Sequence, residues 1–213
     1  DEALELLLSL CFCPACERRA EASGLDAAAL GQHVAAWAER LLHHERGSLP
    51  PPFAQSHVTS LLAEIPNLSA YLALRATSVA ELVAGLRSTA QQQGTVLDLI
   101  PASFQRPVSR AWLEGAHLGQ LGKASHSLLI PAYHDTAAQV AADLWWAAWL
   151  APESALVAGL NACNPALGGA IELTSQARAC LAAGCQGIYY YNYGLLTPER
   201  LSWVAQANRE VGG

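Results

Sequence analysis

A chain of 213 residues, 52% hydrophobic and 14% charged, is long enough for one or two domains and apolar enough for elements buried on two faces. Its net charge of −6 and its single lysine, Lys123, argue against a nucleic-acid surface, which needs clustered Lys and Arg. No apolar run approaches the ~20 residues of a membrane span, and acidic Asp1 and Glu2 stand where a signal peptide would carry basic residues, so the expectation is a cytoplasmic protein with no membrane partner.

Taken in chain order, Ala3–Leu10 places Leu4, Leu7 and Leu8 on one helical face, and reads either as a helix or as a strand running into Cys11. Pro14–Ala22 reads as a short helix with Pro in its first turn, closed by Gly24. Asp26 caps a long helix to about Arg46, apolar along Leu30, Val34, Trp37, Leu41 and Leu42. Gly47 and Pro50-Pro51-Pro52 stop it. Phe53–Ile65 and Ser69–Gln93 continue as helices, broken at Pro66-Asn67, and Gly94 ends the block.

A strand–helix order then repeats four times. Thr95–Ile100 precedes Val108–Leu121. Leu128–Ile130 precedes a helix carrying Val140, Leu144, Trp145, Trp149 and Leu150, capped by Asp135 or Thr136. Ala155–Leu160 precedes Gly168–Leu181, and Gly187–Tyr191 precedes Thr197–Asn208. Strand starts at Thr95, Ser127, Ala155 and Gly187 give a pitch of roughly 30 residues, the size of a βα unit in a parallel sheet. The chain thus divides into a Cys-rich helical crossover region, 1–94, and four βα units, 95–213, read together as one α/β domain.

Ligands bind at the carboxyl ends of parallel strands, where several loops converge. The first strand is followed by Pro101 to Arg106, including Ser103, Phe104 and Gln105. Tyr133, His134 and Asp135 follow the second; Asn161, Cys163 and Asn164 follow the third; the fourth runs into Tyr191, Asn192 and Tyr193. Tyr133, Asn161, Asn164, Tyr191, Asn192 and Tyr193 are candidate substrate-binding residues: amides bond hydroxyls and Tyr rings stack on sugar faces, so the set suits a neutral polyhydroxylated small molecule or glycan. No phosphate-binding glycine loop follows any strand. His134 and Asp135 are candidate acid/base groups, although neighbours at a strand end point apart. Asp98, a charge within an apolar run, is a third catalytic candidate. The plainer reading makes Asp135 a helix cap, His134 a loop residue and the tyrosines strand packing.

Cys11-Phe12-Cys13-Pro14-Ala15-Cys16 places three thiols within reach of one ion. Tetrahedral zinc, in a structural role, needs a fourth ligand, and His33, His43, His44 and Cys163 are the candidates. The alternative is three reduced structural cysteines. Six cysteines in an acidic chain of this kind do not read as a disulfide framework.

The run LLSLCFCPACERRAEASGLD, the long helix and the ending GIYYYNYGLL resemble the later half of functionally uncharacterised bacterial TIM-barrel proteins grouped with the glycoside hydrolases. The Cys loop is similar to the zinc-binding loop after strand four in some β-galactosidase families. The resemblance implies a (β/α)8 barrel of which this chain supplies the second half, strands five to eight starting at Thr95, Ser127, Ala155 and Gly187, with a long helical insertion and a glycoside-hydrolase-like site. The Asp start and the lack of Met fit part of a longer chain, and a half barrel needs a complementary half or self-association to cover its edges. One departure stands out. Retaining hydrolases of this architecture bring a Glu from strand four and a Glu from strand seven, with carboxyls about 5–5.5 Å apart. Here Cys11–Cys13 and Asn161–Asn164 occupy those ends. A non-catalytic binding barrel is therefore the alternative, a zinc-stabilised scaffold with no small-molecule role is a third reading, and a small open α/β sheet is the alternative to the barrel itself.

Overall fold

The computed structural model describes residues 2–44, 56–101 and 108–212. Gly47, Pro50 to Pro52, and Ser103, Phe104, Gln105 and Arg106 lie outside the described residues, as does the side chain of His44. The chain falls into two compact units, Asp1–Ala76 and Thr77–Gly213.

The first unit is helical: α1 (Glu2–Leu8), α2 (Pro14–Ala22), α3 (Ala27–His44), α4 (Ser56–Glu64) and the opening turns of α5 (Leu68–Gln92). The ambiguous Ala3–Leu10 segment is a helix. Ala3, Leu4, Leu6 and Leu7 are buried against α3 and α4, whereas Leu8 is exposed. Asp26 caps α3 by accepting a 2.9 Å bond from the Ala29 amide. Ala27, Leu30, Val34 and Ala38 then bury at the i, i+3/i+4 spacing of one helical stripe. Asn67, at φ 64°, separates α4 from α5; Asn tolerates that left-handed conformation better than most residues.

In the second unit, β1 (Asp98–Leu99), β2 (Ser127–Pro131), β3 (Ala155–Asn161) and β4 (Gly187–Tyr191) form one parallel sheet in the order β1-β2-β3-β4. Asp98 pairs with Ser127, Ser127 with Ala155, Pro131 with Gly159, and Asn161 with Tyr191. The connecting helices are α6 (Leu118–Ala124), α7 (Ala137–Leu150) and α8 (Ala170–Ala182), and α9 (Pro198–Val211) ends the chain. The segments read as strands thus pair as a parallel α/β sheet. Leu128, Ile130, Leu156, Ala158 and Leu160 are buried in the core that α7 and α8 share. Alternation sends Leu129, Val157, Tyr189 and Tyr191 to the other face, where the first two are partly covered and the tyrosines are exposed.

Three expectations need correction. The first strand is two residues long rather than Thr95–Ile100, because it lies at the sheet edge and bonds only β2. Val108–Leu121 is not one helix: Val108–Glu114 is a 3-10 turn, and α6 begins afresh at Leu118. Gly115, at φ 83°, ends the first, and the His117 side chain caps the second by accepting from the Gln120 amide. Finally, α7 does not bury Trp145 and Trp149, which are 58% and 62% exposed. The buried stripe is Val140, Leu144 and Ala147, the i, i+4, i+7 line. The tryptophans stack on one another beside it, Trp145 parallel to Trp149 at 6.3 Å and Trp146 edge-on to both.

Helix α6 approaches the turn before β3 so closely that it requires glycine. A Cβ on Gly122 would stand 1.7 Å from Ser154 Oγ and 2.8 Å from Ser154 Cβ. Gly122→Ala is expected to destabilise the protein by ~1–3 kcal/mol through overpacking. Adding Ser154→Gly should recover most of the loss, because Ala is the better helix former by ~1 kcal/mol. Urea unfolding reads both. A single variant as stable as the parent would refute the close approach.

Candidate functional site

The register brings the carboxyl ends of β2, β3 and β4 side by side. Tyr133 folds back over the sheet, where its Cε1 would meet a Cβ on Gly159 at 3.3 Å. A side chain at Gly159 would crowd the ring, so its absence gives the ring room. Its centroid is 5.4 Å from that of Tyr191, with the planes tilted by 31°. Burial, and behind it the neighbouring Tyr191, pushes the Tyr133 hydroxyl above its ordinary pKa. Tyr193 lies just beyond, exposed, in a short 3-10 turn (Tyr193–Leu195).

His134 and Asp135 take separate partners. His134 Nε2 lies 2.9 Å from Asp143 Oδ2, and Asp143 Oδ1 accepts from the Val108 amide at 2.6 Å. Asp143 sits on α7 and is buried. A carboxylate only accepts, so this contact puts an imidazole proton on Nε2. Asp135 is exposed and accepts from Asn164 Nδ2 at 2.8 Å. It is not the helix cap. Thr136 caps α7 with a capping box through Gln139, because a hydroxyl at the N-cap reaches the third amide of the helix. Gln176, almost fully buried on α8, donates to the carbonyls of both His134 and Asp135 at 3.2 and 3.3 Å, which holds the two residues splayed.

The amides serve the loops. Asn161 Oδ1 accepts from the Cys163 amide, Asn164 Oδ1 from Ala166, and Asn192 Oδ1 from Gly194. The Cys163 thiol contacts the Asn192 carbonyl and amide at 3.5 and 3.4 Å. Arg200 of α9 donates to the carbonyls of Ala162 and Asn164 at 2.6 and 2.9 Å while its guanidinium covers Trp203. Asp98 stands apart. It pairs with Ser127, whose hydroxyl donates to Oδ1 at 2.6 Å. That is the amino end of the sheet, about 13 Å of strand from Pro131.

Asp143, Gln176, Arg200 and Gly159 were not among the sequence candidates. Asp143 carries a legible signal, a lone charge within AADLWWAAWL, since a charge on a buried helical stripe needs a partner. Gln176 and Arg200 act on backbone carbonyls, and sequence patterns do not encode those contacts.

In the first unit, the Sγ atoms of Cys11, Cys13 and Cys16 lie within 4.8 Å of one another. Three close cysteines of this kind could bind a metal ion. Cys13 precedes α2 and Cys16 lies in its first turn. Phe12 stacks on Tyr71 of α5 at 5.1 Å, the Tyr71 hydroxyl donates to the Cys11 carbonyl, and Arg75 donates to Ser9 Oγ at 3.0 Å, so the amino-terminal part of the loop is held on α5. The Cys13 thiol is lowered to about 7, chiefly by the Cys16 amide and then by the neighbouring thiols. Burial pushes Cys16 up to about 11 and Tyr71 up to about 12. Among the described residues, no fourth His, Cys, Asp or Glu joins the group. His33 bonds the Ala29 carbonyl of its own helix through Nδ1, and Cys163 belongs to the other unit.

No family model matches the chain, and no curated protein or solved structure matches it. Among the described residues, no helix is long and apolar enough to cross a membrane.

Proposed function

We propose that this chain supplies strands five to eight of a (β/α)8 barrel and binds a neutral polyhydroxylated ligand, a sugar or short glycan, at the carboxyl ends of β2 to β4. The observation that carries this reading is the Tyr133–Tyr191 pair, one ring seated over a residue without a side chain and the other 42% exposed. Aromatic faces suit the C–H faces of sugars, while the Asp135 carboxylate and the His134 imidazole suit hydroxyls. The barrel half is supported by the sheet face opposite the helices, where Leu129 and Val157 are partly covered and Tyr189 is 58% exposed. An inner barrel face would look so without its other strands, and a complementary half or a second copy would cover it.

Binding without catalysis is the favoured form. Glycoside hydrolysis uses two carboxyl groups. Of the two carboxylates among the sequence candidates, Asp98 lies at the other end of the sheet, which leaves Asp135; Asp143 has both oxygens engaged, and Glu172 accepts from the Ala137 amide. A hydrolase is the second reading, supported by the exposed Asp135 beside the His134–Asp143 pair. For the cysteine cluster, a structural Zn²⁺ is the proposed ion, since three thiolates are its characteristic donors.

Calorimetric titration with a panel of neutral mono- and oligosaccharides tests the ligand. Tyr191→Ala is expected to weaken the responding sugar about ten-fold, ~1.4 kcal/mol. Aryl-glycoside hydrolysis that disappears in Asp135→Asn would move the reading to the hydrolase. If no neutral sugar gives heat, the carbohydrate reading fails.

A further inference from the structure

The Cys11–Cys16 loop carries chemistry that the strand-end site does not use. Cys13 Sγ and Cys16 Sγ are 3.6 Å apart, with Cys13 exposed and Cys16 partly covered. The two residues flank the first turn of α2, a spacing that keeps their Cα atoms inside the ~4.4–6.8 Å a disulfide accepts. Bringing the sulfurs to the ~2.05 Å of a bond then needs side-chain rotation rather than backbone movement. Clamping of the loop through Phe12, Tyr71 and the Cys11 carbonyl does not restrain either sulfur.

We propose that Cys13 and Cys16 form a reversible disulfide, and that this bond and a metal ion exclude each other at the Cys11, Cys13, Cys16 cluster. The metal half rests on the zinc reading above; the disulfide half does not. The oxidant is the disulfide of a small thiol, RSSR. The Cys13 sulfur attacks one sulfur of RSSR, forming a Cys13–SR bond and releasing RS⁻. The Cys16 sulfur then attacks the Cys13 sulfur, forming the Cys13–Cys16 bond and releasing the second RS⁻. The cysteines give up two electrons and two protons, and RSSR takes them up as two RSH. Cys13 attacks first because it is the exposed member of the pair. Cys11 is left as a single thiol, one donor where structural zinc takes four.

The test treats metal-free, reduced protein with excess glutathione disulfide, alkylates the remaining thiols and maps the peptides by mass spectrometry. The expected product has Cys11 alkylated and Cys13 bridged to Cys16. Cys16→Ser should accumulate a glutathione adduct on Cys13, and Cys11→Ser should close the bridge at the parental rate. Cys11 is exposed and Cys16 only partly covered, so neither substitution empties the core. Zn²⁺ in excess, at a free concentration of about ten times its Kd, is expected to slow bridging about ten-fold, and forced oxidation should release the zinc in step with bridging. A metal-free protein that stays reduced, or that bridges through Cys11, overturns the proposal. Bridging at an unchanged rate in the zinc-loaded protein overturns the exclusion. Bridging with no zinc bound at any concentration overturns the metal reading and leaves the dithiol standing.

Discussion

Asp143→Ala is expected to cost ~3 kcal/mol of stability, because it strips the acceptor from two donors held in or near the core. The Val108 amide and His134 Nε2 both bond this carboxylate, and Asp143 is only 5% exposed. For a chain of this size, a melting temperature lower by roughly 6–12 °C would follow. His134→Ala should cost less, since the imidazole is 21% exposed and the carboxylate keeps its bond to Val108. Asp143→Asn should fall between them: its oxygen still accepts one bond, but its amide nitrogen meets the other donor. Thermal melts of the three variants decide it. An Asp143→Ala protein that melts with the parent would show that the carboxylate holds nothing together.

The second large effect separates two sets of residues on α7 that are equally apolar in the sequence. Leu144→Ala is expected to cost ~3 kcal/mol, the transfer free energy of the side chain plus the cavity it leaves, since Leu144 is fully buried in the core. Trp149→Ala removes far more surface yet should cost about 1 kcal/mol or less, the value of an aromatic contact at the surface, since Trp149 touches mainly Trp145 and Trp146 and is 62% exposed. Urea unfolding of the two variants gives the comparison directly. Equal losses would mean that the tryptophans, not the Leu144 stripe, face the core.

That contrast marks how far the sequence is readable. The parallel sheet follows from a pitch of roughly 30 residues and from turn chemistry at Gly94 and Gly184, both at positive φ where their helices end. The Asp26 and Thr136 caps are legible for the same reason: the oxygen that makes the bond is local to the helix it starts. Periodicity misplaces the buried side of α7 because alanine scarcely registers as apolar, yet Ala147 is fully buried in the core. In the candidate site, residue types at strand ends locate His134, Asp135 and the tyrosines. They do not reveal that Asn161, Asn164 and Asn192 spend their oxygens on backbone amides, or that His134 turns to a residue nine positions away rather than to Asp135. The three Asn bonds are local, each to the amide two residues on, whereas the His134–Asp143 pair depends on the packing that brings α7 under the loop.

The strand order β1-β2-β3-β4 follows the order of synthesis, so each strand pairs with the one made before it, and β2, β3 and β4 begin about 30 residues after their partners. Loop closure therefore carries a similar entropic cost at each step and never a long-range one. The sheet can grow as a zipper from the amino side, with each strand templated by a neighbour that already exists and each helix docking on the pair just formed. Growth of that kind brings in β4, with its outward-facing tyrosines, after β1 to β3, so the carboxyl ends of β2, β3 and β4 come side by side only once Gly187–Tyr191 has paired.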